Sequence, residues 1–435
     1  MRAIALEAFG AIRFDRRVAD RTLDAILRRE RRLWSRERRR VSEAVYGMLR
    51  AEFRNDALLR RALGKCYEAL DDPARSALHY EIWRLSEKGT ATAADLARAG
   101  LSPALFPGVQ ACLDPAAAAE VLPDDPAESL AIRHSLPVWI ARLFLREVGA
   151  EEAEALAAAS TARAPLVLRA NALRIDRDGL RARLEEEGVS TEPTPHAPLG
   201  LRVQTRQNLF ALPSFREGLF EIQDEGSQIL AALVGARPGL RIVDACAGSG
   251  GKTLALAAAM ENRGRILALD ADARRLAQLG PRARRAGIHN WESHVVPEDA
   301  PGPVEQRWRG RADAVLVDAP CSGLGVLRRN PDAAHRLREE ELARFAALQR
   351  RLLARYAALV RPGGRLVYGT CSVAREENEE VVEAFLRDHP AFERLPPRET
   401  LGPLADRLGA EPHLRLFPHR HGTDGFFGAL LRRKE

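Results

Sequence analysis

Two cysteines and an aspartate stand at the ends of two runs that read as buried strands. ADAVLVDAP (312–320) delivers Asp318 and Pro320 and leads into Cys321, while GRLVYGTCS (364–372) delivers Thr370 and Cys371. One cysteine in such a place is most often inert packing, but two at neighbouring strand ends beside a carboxylate bring nucleophiles and an acid to one sheet edge. A thiol attacks as its thiolate, so it must be partly ionised and aimed at its target. Upstream, DACAGSGGKT (244–253) sets Gly248, Gly250 and Gly251 between a strand and a helix, where the backbone turns tightly and a ligand can approach it closely. A Walker loop would need glycine where Cys246 stands, and a G-x-G-x-x-G loop would need it at Thr253, so neither phosphate signature is complete. RILALDAD (265–272) carries Asp270, 22 residues after Gly248, where a carboxylate accepts hydrogen bonds from two ribose hydroxyls. That suits S-adenosylmethionine and NAD alike. Asp299, closing SHVVPED (293–299), is placed to receive an adenine amino group, although a lone aspartate in a loop is commonly a turn or cap residue.

A methyl donor gives the two thiols a use. Carbon 5 of a pyrimidine is a poor nucleophile; a thiolate added to carbon 6 makes an enamine whose carbon 5 can attack a sulfonium methyl. A carboxylic acid near ring nitrogen 3 stabilises the developing charge, and loss of the carbon 5 proton then lets the cysteine leave. One thiol attacks and a second assists release; the spacing does not say which is which.

These groups need a parallel sheet to hold them. Strand-like runs at 241–247, 265–272, 293–299, 312–320 and 364–372 alternate with helical stretches, the longest at 338–360, which implies right-handed crossovers and helices on both faces. Ligands of such sheets bind beyond the carboxyl ends of the strands. DGFFGALLRR (424–433) reads as a late antiparallel strand. Ahead of this α/β region, residues 161–215 alternate short strands with one helix, a small α+β unit. Residues 137–160 read as helices with a turn near Gly149, and residues 2–113 carry apolar residues at three and four spacings, as helices do. Pro115, Pro123 and Pro126 mark a boundary. The expected multidomain organisation is an all-α domain over 1–130, a helical link and small α+β subdomain over 131–215, and an α/β domain over 216–435.

The chain has 435 residues, a net charge of +7, 46% apolar and 29% charged residues, the profile of a folded globular protein of two or three domains. Five cysteines without a C-x-x-C pair argue against a zinc site or a disulfide framework, and fit a reducing cytoplasm with no metal. The opening residues lack a signal-peptide pattern, and no uncharged apolar stretch is long enough to span a membrane. Residues 1–64 hold 17 Arg against nine Asp and Glu, a local net of +8 that exceeds the total, so the rest is close to neutral. A positive surface confined to one end is what a polyanion selects.

Several ordered motifs resemble the RNA cytosine-5 methyltransferase family: IQDEGSQ (222–228), DACAGSGGKT, LVDAPCSGLGVLRRNPD (316–332), YGTCSVAREENEEVV (368–382) and DGFFGALLRR. LVLRANAL (166–173) is similar to that family's preceding RNA-binding element. SRERRRVSEAVYGMLR (35–50) is similar to a NusB-like helical RNA-binding domain, so the likeness runs nearly the full length. The resemblance implies a Rossmann-like class I methyltransferase domain using S-adenosylmethionine, with Cys371 as nucleophile and Cys321 releasing the product. It further implies that Cys246, Ala247, Gly248, Ser249, Gly250, Gly251 and Lys252 cradle the amino acid end of the cofactor. Asp270 would hold its ribose and Asp299 its adenine, with Asp318 between methyl donor and cytosine. The implied partner is 16S ribosomal RNA, naked or in an assembling small subunit; methylation of transfer RNA or DNA, or a role as an RNA-binding transcription or assembly factor, are the alternatives. The chain departs from the family at Gly248-Ser249, where Ala-Pro is common, and after Asp332, where an aromatic residue often follows and this chain reads AAHRL.

Overall fold

The amino-terminal apolar spacing folds as helices around two cores. Helix Ser35–Leu63 is the wall they share: Val41, Val45, Met48 and Leu49 pack with Phe9, Ile12 and Leu23, while Leu58 and Leu59 pack with Tyr67, Leu78 and Ile82. Each of these buried side chains contributes about 1.5–3 kcal/mol of apolar transfer. Helix Val138–Thr161 breaks at Gly149, whose φ of 78° is left-handed, at the expected turn.

The computed structural model describes every residue except 90, 115, 117–121, 206, 298 and 299. Of the expected boundary markers, Pro115 therefore lies outside the described residues. The chain divides into one unit of Met1–Arg163 with Leu327–Glu339 and another of Ala164–Val326 with Glu340–Glu435. The helices expected to link two domains thus belong to the first unit. So does a segment read from sequence as part of the α/β region. Within that unit, the Asp332 carboxylate accepts from Ala19 N at 3.2 Å, and the His335 ring stacks on Phe53 at 4.4 Å with Nε2 3.2 Å from Leu49 O. His335 is the ring of the AAHRL departure. Burial lowers its pKa to about 4, so it packs as a neutral aromatic group.

The second unit contains two sheets. In the smaller, β1 (Leu166–Ala170), β2 (Thr191–Pro193), β3 (Gly200–Val203) and β4 (Phe220–Ile222) pair antiparallel in the order β2-β3-β1-β4. Helix Arg177–Glu186 covers them with Leu180 and Leu184. This is the expected α+β subdomain, but its fourth strand lies past residue 215, because Phe220 completes the apolar face begun by Leu168 and Leu201.

The larger sheet comprises β5 (Arg241–Ala245), β6 (Arg265–Asp270), β7 (Trp291–Val295), β8 (Ala312–Asp318), β9 (Val360–Thr370), β10 (Phe392–Leu395), β11 (Leu414–Leu416) and β12 (Phe426–Arg433). Its order is β10-β12-β9-β8-β5-β6-β7, with β11 also on β12; β5 to β9 are parallel, and β12 runs antiparallel to its neighbours. Period-two alternation explains the continuous apolar runs. Ile242, Ile266, Ala268, Leu316 and Val367 face one helical layer; Val243, Leu267, Leu269, Val317 and Tyr368 face the other. Strand order reverses between β5 and β8, which opens a crevice at their carboxyl ends.

Candidate active site

The chain leaving β5 enters the left-handed region at Cys246 (φ 63°), Gly248 (φ 56°) and Gly250 (φ 84°), then starts helix Gly251–Ala259. Gly250 is required twice over, since a Cβ there would also lie 2.3 Å from Leu279. The turn is fastened from below. Ser249 O accepts from Arg282 at 2.7 Å and Gly251 O accepts from Arg169 of β1 at 3.0 Å, while Glu221 of β4 pairs with Arg282 and Arg285. Arg169 is wholly buried, and burial lowers its pKa to about 10, which leaves it charged at neutral pH. Asp270, at the end of β6, accepts from Gly248 N and Asp272 N, each at 2.7 Å. Two of its four acceptor positions remain for a ligand.

A cleft of about 440 Å³ opens at this edge. Cys246, Asp270, Asp318, Cys321 and Cys371 line it, together with apolar Val296, Pro297 and Leu352. Five of the sequence-selected residues thus meet in one space. Asp299 lies outside the described residues. Ala247, Gly248, Ser249, Gly250 and Gly251 form the turn beside the cleft. Lys252 Nζ donates to Asp318 Oδ2 at 2.6 Å and lies 5.6 Å over the Phe426 ring. Burial opposes its charge, but Asp318 and Asp244 outweigh burial and raise its pKa. The ammonium is therefore permanent beside the Asp318 carboxylate.

The sulfurs of Cys321 and Cys371 are 3.3 Å apart. The hydrogen bond between them, with burial, pushes the Cys321 thiol up. Cys246 is a thiol of another kind, pushed up by burial. The Cys371 loop is tied to the turn after β8, since Gly325 N donates to Cys371 O at 2.9 Å. Gly425 N in turn donates to Gly325 O at 2.8 Å, and a Cβ on Gly325 would fall 2.2 Å from Gly425 O. Those glycines allow the backbones to touch.

Beneath the loop, burial raises the Asp244 carboxyl to about 7; Thr253 Oγ1 donates to it at 2.6 Å. A carboxyl raised in the folded state stabilises fully below its unfolded pKa near 4 and loses that contribution as pH rises through 7. The expected outcome is a melting temperature that falls between pH 5 and pH 8 in the native chain and falls less in Asp244→Asn, a difference worth up to about 3 kcal/mol over that window. Parallel pH profiles of the two chains by calorimetry would contradict this.

Sequence reasoning missed Arg169, Arg282, Gln349 and the pair Glu377-Asn378. The last two sit inside a quoted motif, in EENEE, of which Thr370 and Cys371 alone carry a strand-end signal. Among the described residues no group of three or more His, Cys, Asp or Glu is arranged to hold a metal, and no helix is long and apolar enough to cross a membrane.

This strand order, with a glycine turn after β5 and an acid ending β6, is the Rossmann-like fold of class I methyltransferases. Residues 231–432 match the family model described as 16S rRNA methyltransferase RsmB/F, and residues 136–209 match the ferredoxin-like domain of RsmF/B-like methyltransferases. A relative from Synechocystis named "Probable ribosomal RNA small subunit methyltransferase B" is 33% identical over 414 residues, 91% of each chain. Ribosomal RNA small subunit methyltransferase B of Vibrio cholerae is 33% identical over 303 residues, 69% of this chain and 66% of its own. The crystal structure of PH0851 aligns with a TM-score of 0.77 at 26% identity, covering 99% of this chain and 98% of its own. A methyltransferase homolog from Pyrococcus horikoshii aligns with 0.60 at 28%, covering 72% and 100%. The chain belongs to the RsmB/F methyltransferase family.

Proposed function

We propose that the protein transfers a methyl group from S-adenosylmethionine to carbon 5 of a cytosine in 16S ribosomal RNA, in the cytoplasm, through a covalent bond from Cys371 to carbon 6. The observation that carries this reading is the contact between the Cys321 and Cys371 sulfurs in the cleft that Asp270 and Asp318 also line. The cleft suits the cofactor: Asp270 retains free acceptor positions for ribose hydroxyls, and Val296, Pro297 and Leu352 offer apolar walls to a purine. When bound, the cofactor supplies an electrophilic methyl. The protein supplies the rest. The Cys371 thiolate adds to carbon 6, and the negative charge that develops on the ring is met by the Lys252 ammonium that Asp318 holds in place. After carbon 5 takes the methyl, water in the open cleft takes its proton, the electron pair left behind expels sulfur from carbon 6, and Cys321 donates a hydrogen bond to the departing thiolate. The assignment of attack to Cys371 and release to Cys321 rests on the family resemblance.

A cytosine must leave its stack to reach this cleft. The helical unit offers RNA a basic surface in which Arg31, Arg32 and Arg36 flank Trp34, a side chain 81% exposed. Phosphate binding of this kind weakens steeply with salt. The test is incubation with tritiated S-adenosylmethionine and unmodified 16S RNA, naked or as assembling subunits, with bisulfite sequencing of the product. Label at carbon 5 of a cytosine is expected, with RNA affinity falling at least about tenfold between 50 and 200 mM salt. Tight RNA binding with no incorporation would favour an assembly factor, and label on transfer RNA alone would move the substrate.

A further inference from the structure

Each of the two cysteines is followed by a serine, and both serines are bound to one carboxylate. Glu377 is wholly buried, at 0% exposure, just beyond the end of β9. Its Oε1 accepts from Ser322 N at 2.8 Å and Gln349 Nε2 at 2.9 Å; its Oε2 accepts from Ser372 Oγ at 2.5 Å and from Ser322 Oγ. The two serine hydroxyls are themselves 3.1 Å apart. Four donors fill the four acceptor positions of a carboxylate, a number no other side chain accepts.

The neighbours of Glu377 extend the clamp to the remaining residues that flank the cysteines. Gln349 also donates to Pro320 O at 2.9 Å, Asn378 Nδ2 donates to Ser372 O at 3.0 Å, and Thr370 Oγ1 donates to Asn378 Oδ1 at 2.6 Å. Tyr368 OH fixes the backbone by donating to Glu377 O at 2.5 Å. Residues 320 and 322 on one loop, and 370 and 372 on the other, are therefore all held by Gln349, Glu377 and Asn378. None of these three touches the cleft.

We propose that Glu377 is a positioning residue that locks the Cys321 and Cys371 loops to each other, so that the two sulfurs stay in contact through attack and release. The proposal rests on the reading of Cys371 as nucleophile and Cys321 as its release partner. The alternative, a purely structural buried acid, would leave the relation between the sulfurs untouched. The negative charge of Glu377 also helps Cys321 keep its proton, which suits the thiol that is not the attacker.

The test compares the native chain with Glu377→Gln, whose amide turns one acceptor into a donor facing donors. Two readouts are used. In steady-state methylation of 16S RNA, kcat is expected to fall about 100-fold while KM for RNA and cofactor stays within about threefold, the mark of lost transition-state positioning. Separately, phenylarsenoxide condenses with two close thiols, forming two arsenic–sulfur bonds and releasing one water; its affinity for the Cys321–Cys371 pair should drop at least tenfold. Native kcat together with native arsenoxide affinity would overturn the proposal. If Glu377→Gln fails to fold, Ser322→Ala and Ser372→Ala each remove one donor. Each is then expected to lower kcat about tenfold at unchanged KM, and native behaviour in both would overturn the proposal. Cys371→Ala run alongside separates the two claims: an active Cys371→Ala defeats the nucleophile reading, whereas an inactive one beside a fully active Glu377→Gln defeats the clamp alone.

Discussion

Cys371→Ala is expected to methylate no cytosine, with single-turnover transfer reduced about 10⁴-fold or more, as befits removal of a covalent nucleophile. The physical reason is that carbon 5 gains its nucleophilic character only after sulfur has added at carbon 6. The other two thiols of the cleft are held up in the variant: burial pushes up Cys246, and burial with the charge of Glu377 pushes up Cys321. Alanine removes a half-buried sulfur and leaves the Thr370–Asn378 and Ser372–Glu377 bonds in place, so the loop should keep its course. Cofactor affinity should therefore stay within about twofold of native, because Asp270 and the glycine turn are untouched. Calorimetry for the cofactor and tritium counting for transfer check the two halves. Retained turnover would remove Cys371 from the mechanism.

The second large effect has the opposite sign of occupancy. Cys321→Ala should attack and methylate normally but stall with RNA attached, so that about one equivalent of methyl is transferred and turnover then drops at least about 100-fold. At 3.3 Å, the Cys321 sulfur is placed to assist Cys371 as it departs from carbon 6, and without it the departing sulfur stays bonded. A denaturing gel should show a protein band shifted by the mass of the RNA and abolished by nuclease. The double variant Cys321→Ala/Cys371→Ala should show none. A clean single variant with no shifted band and normal turnover would show that Cys321 has no part in release.

The framework of the site was open to reading because burial on both faces writes itself into the sequence. The apolar runs of β5, β6, β8 and β9 and the glycine turn placed Cys321, Cys371, Asp318 and Asp270 at one edge before any coordinates, and β12 was legible as antiparallel. The short strands β10 and β11 were not, since four and three residues pairing on β12 leave little periodic signal. For Lys252, sequence fixes its place on the first helical turn but not the direction of its long side chain, which follows the charge of Asp318. Glu377 was hidden in plain view. Among Glu376, Glu377, Glu379 and Glu380 a run of like charge reads as a solvated helix start, and only the fold shows that Glu377 alone is fully enclosed. The small sheet overran its expected limit for a similar reason, because Phe220 is recruited by partners some fifty residues upstream.

Residues 327–339 carry a consequence for how the protein comes into being. The backbone passes from one compact unit to the other at residue 163, goes back after Val326 and comes out again before Glu340, so three covalent threads join what would otherwise resemble beads on a string. During synthesis the helices emerge first, yet they lack the ring of His335 and the cap that Asp332 lends to Ala19 until some 170 further residues have left the ribosome. The amino-terminal unit is therefore complete only after residues 327–339 are made, and a fragment ending at residue 163 is expected to leave the face of Phe53 that His335 covers open.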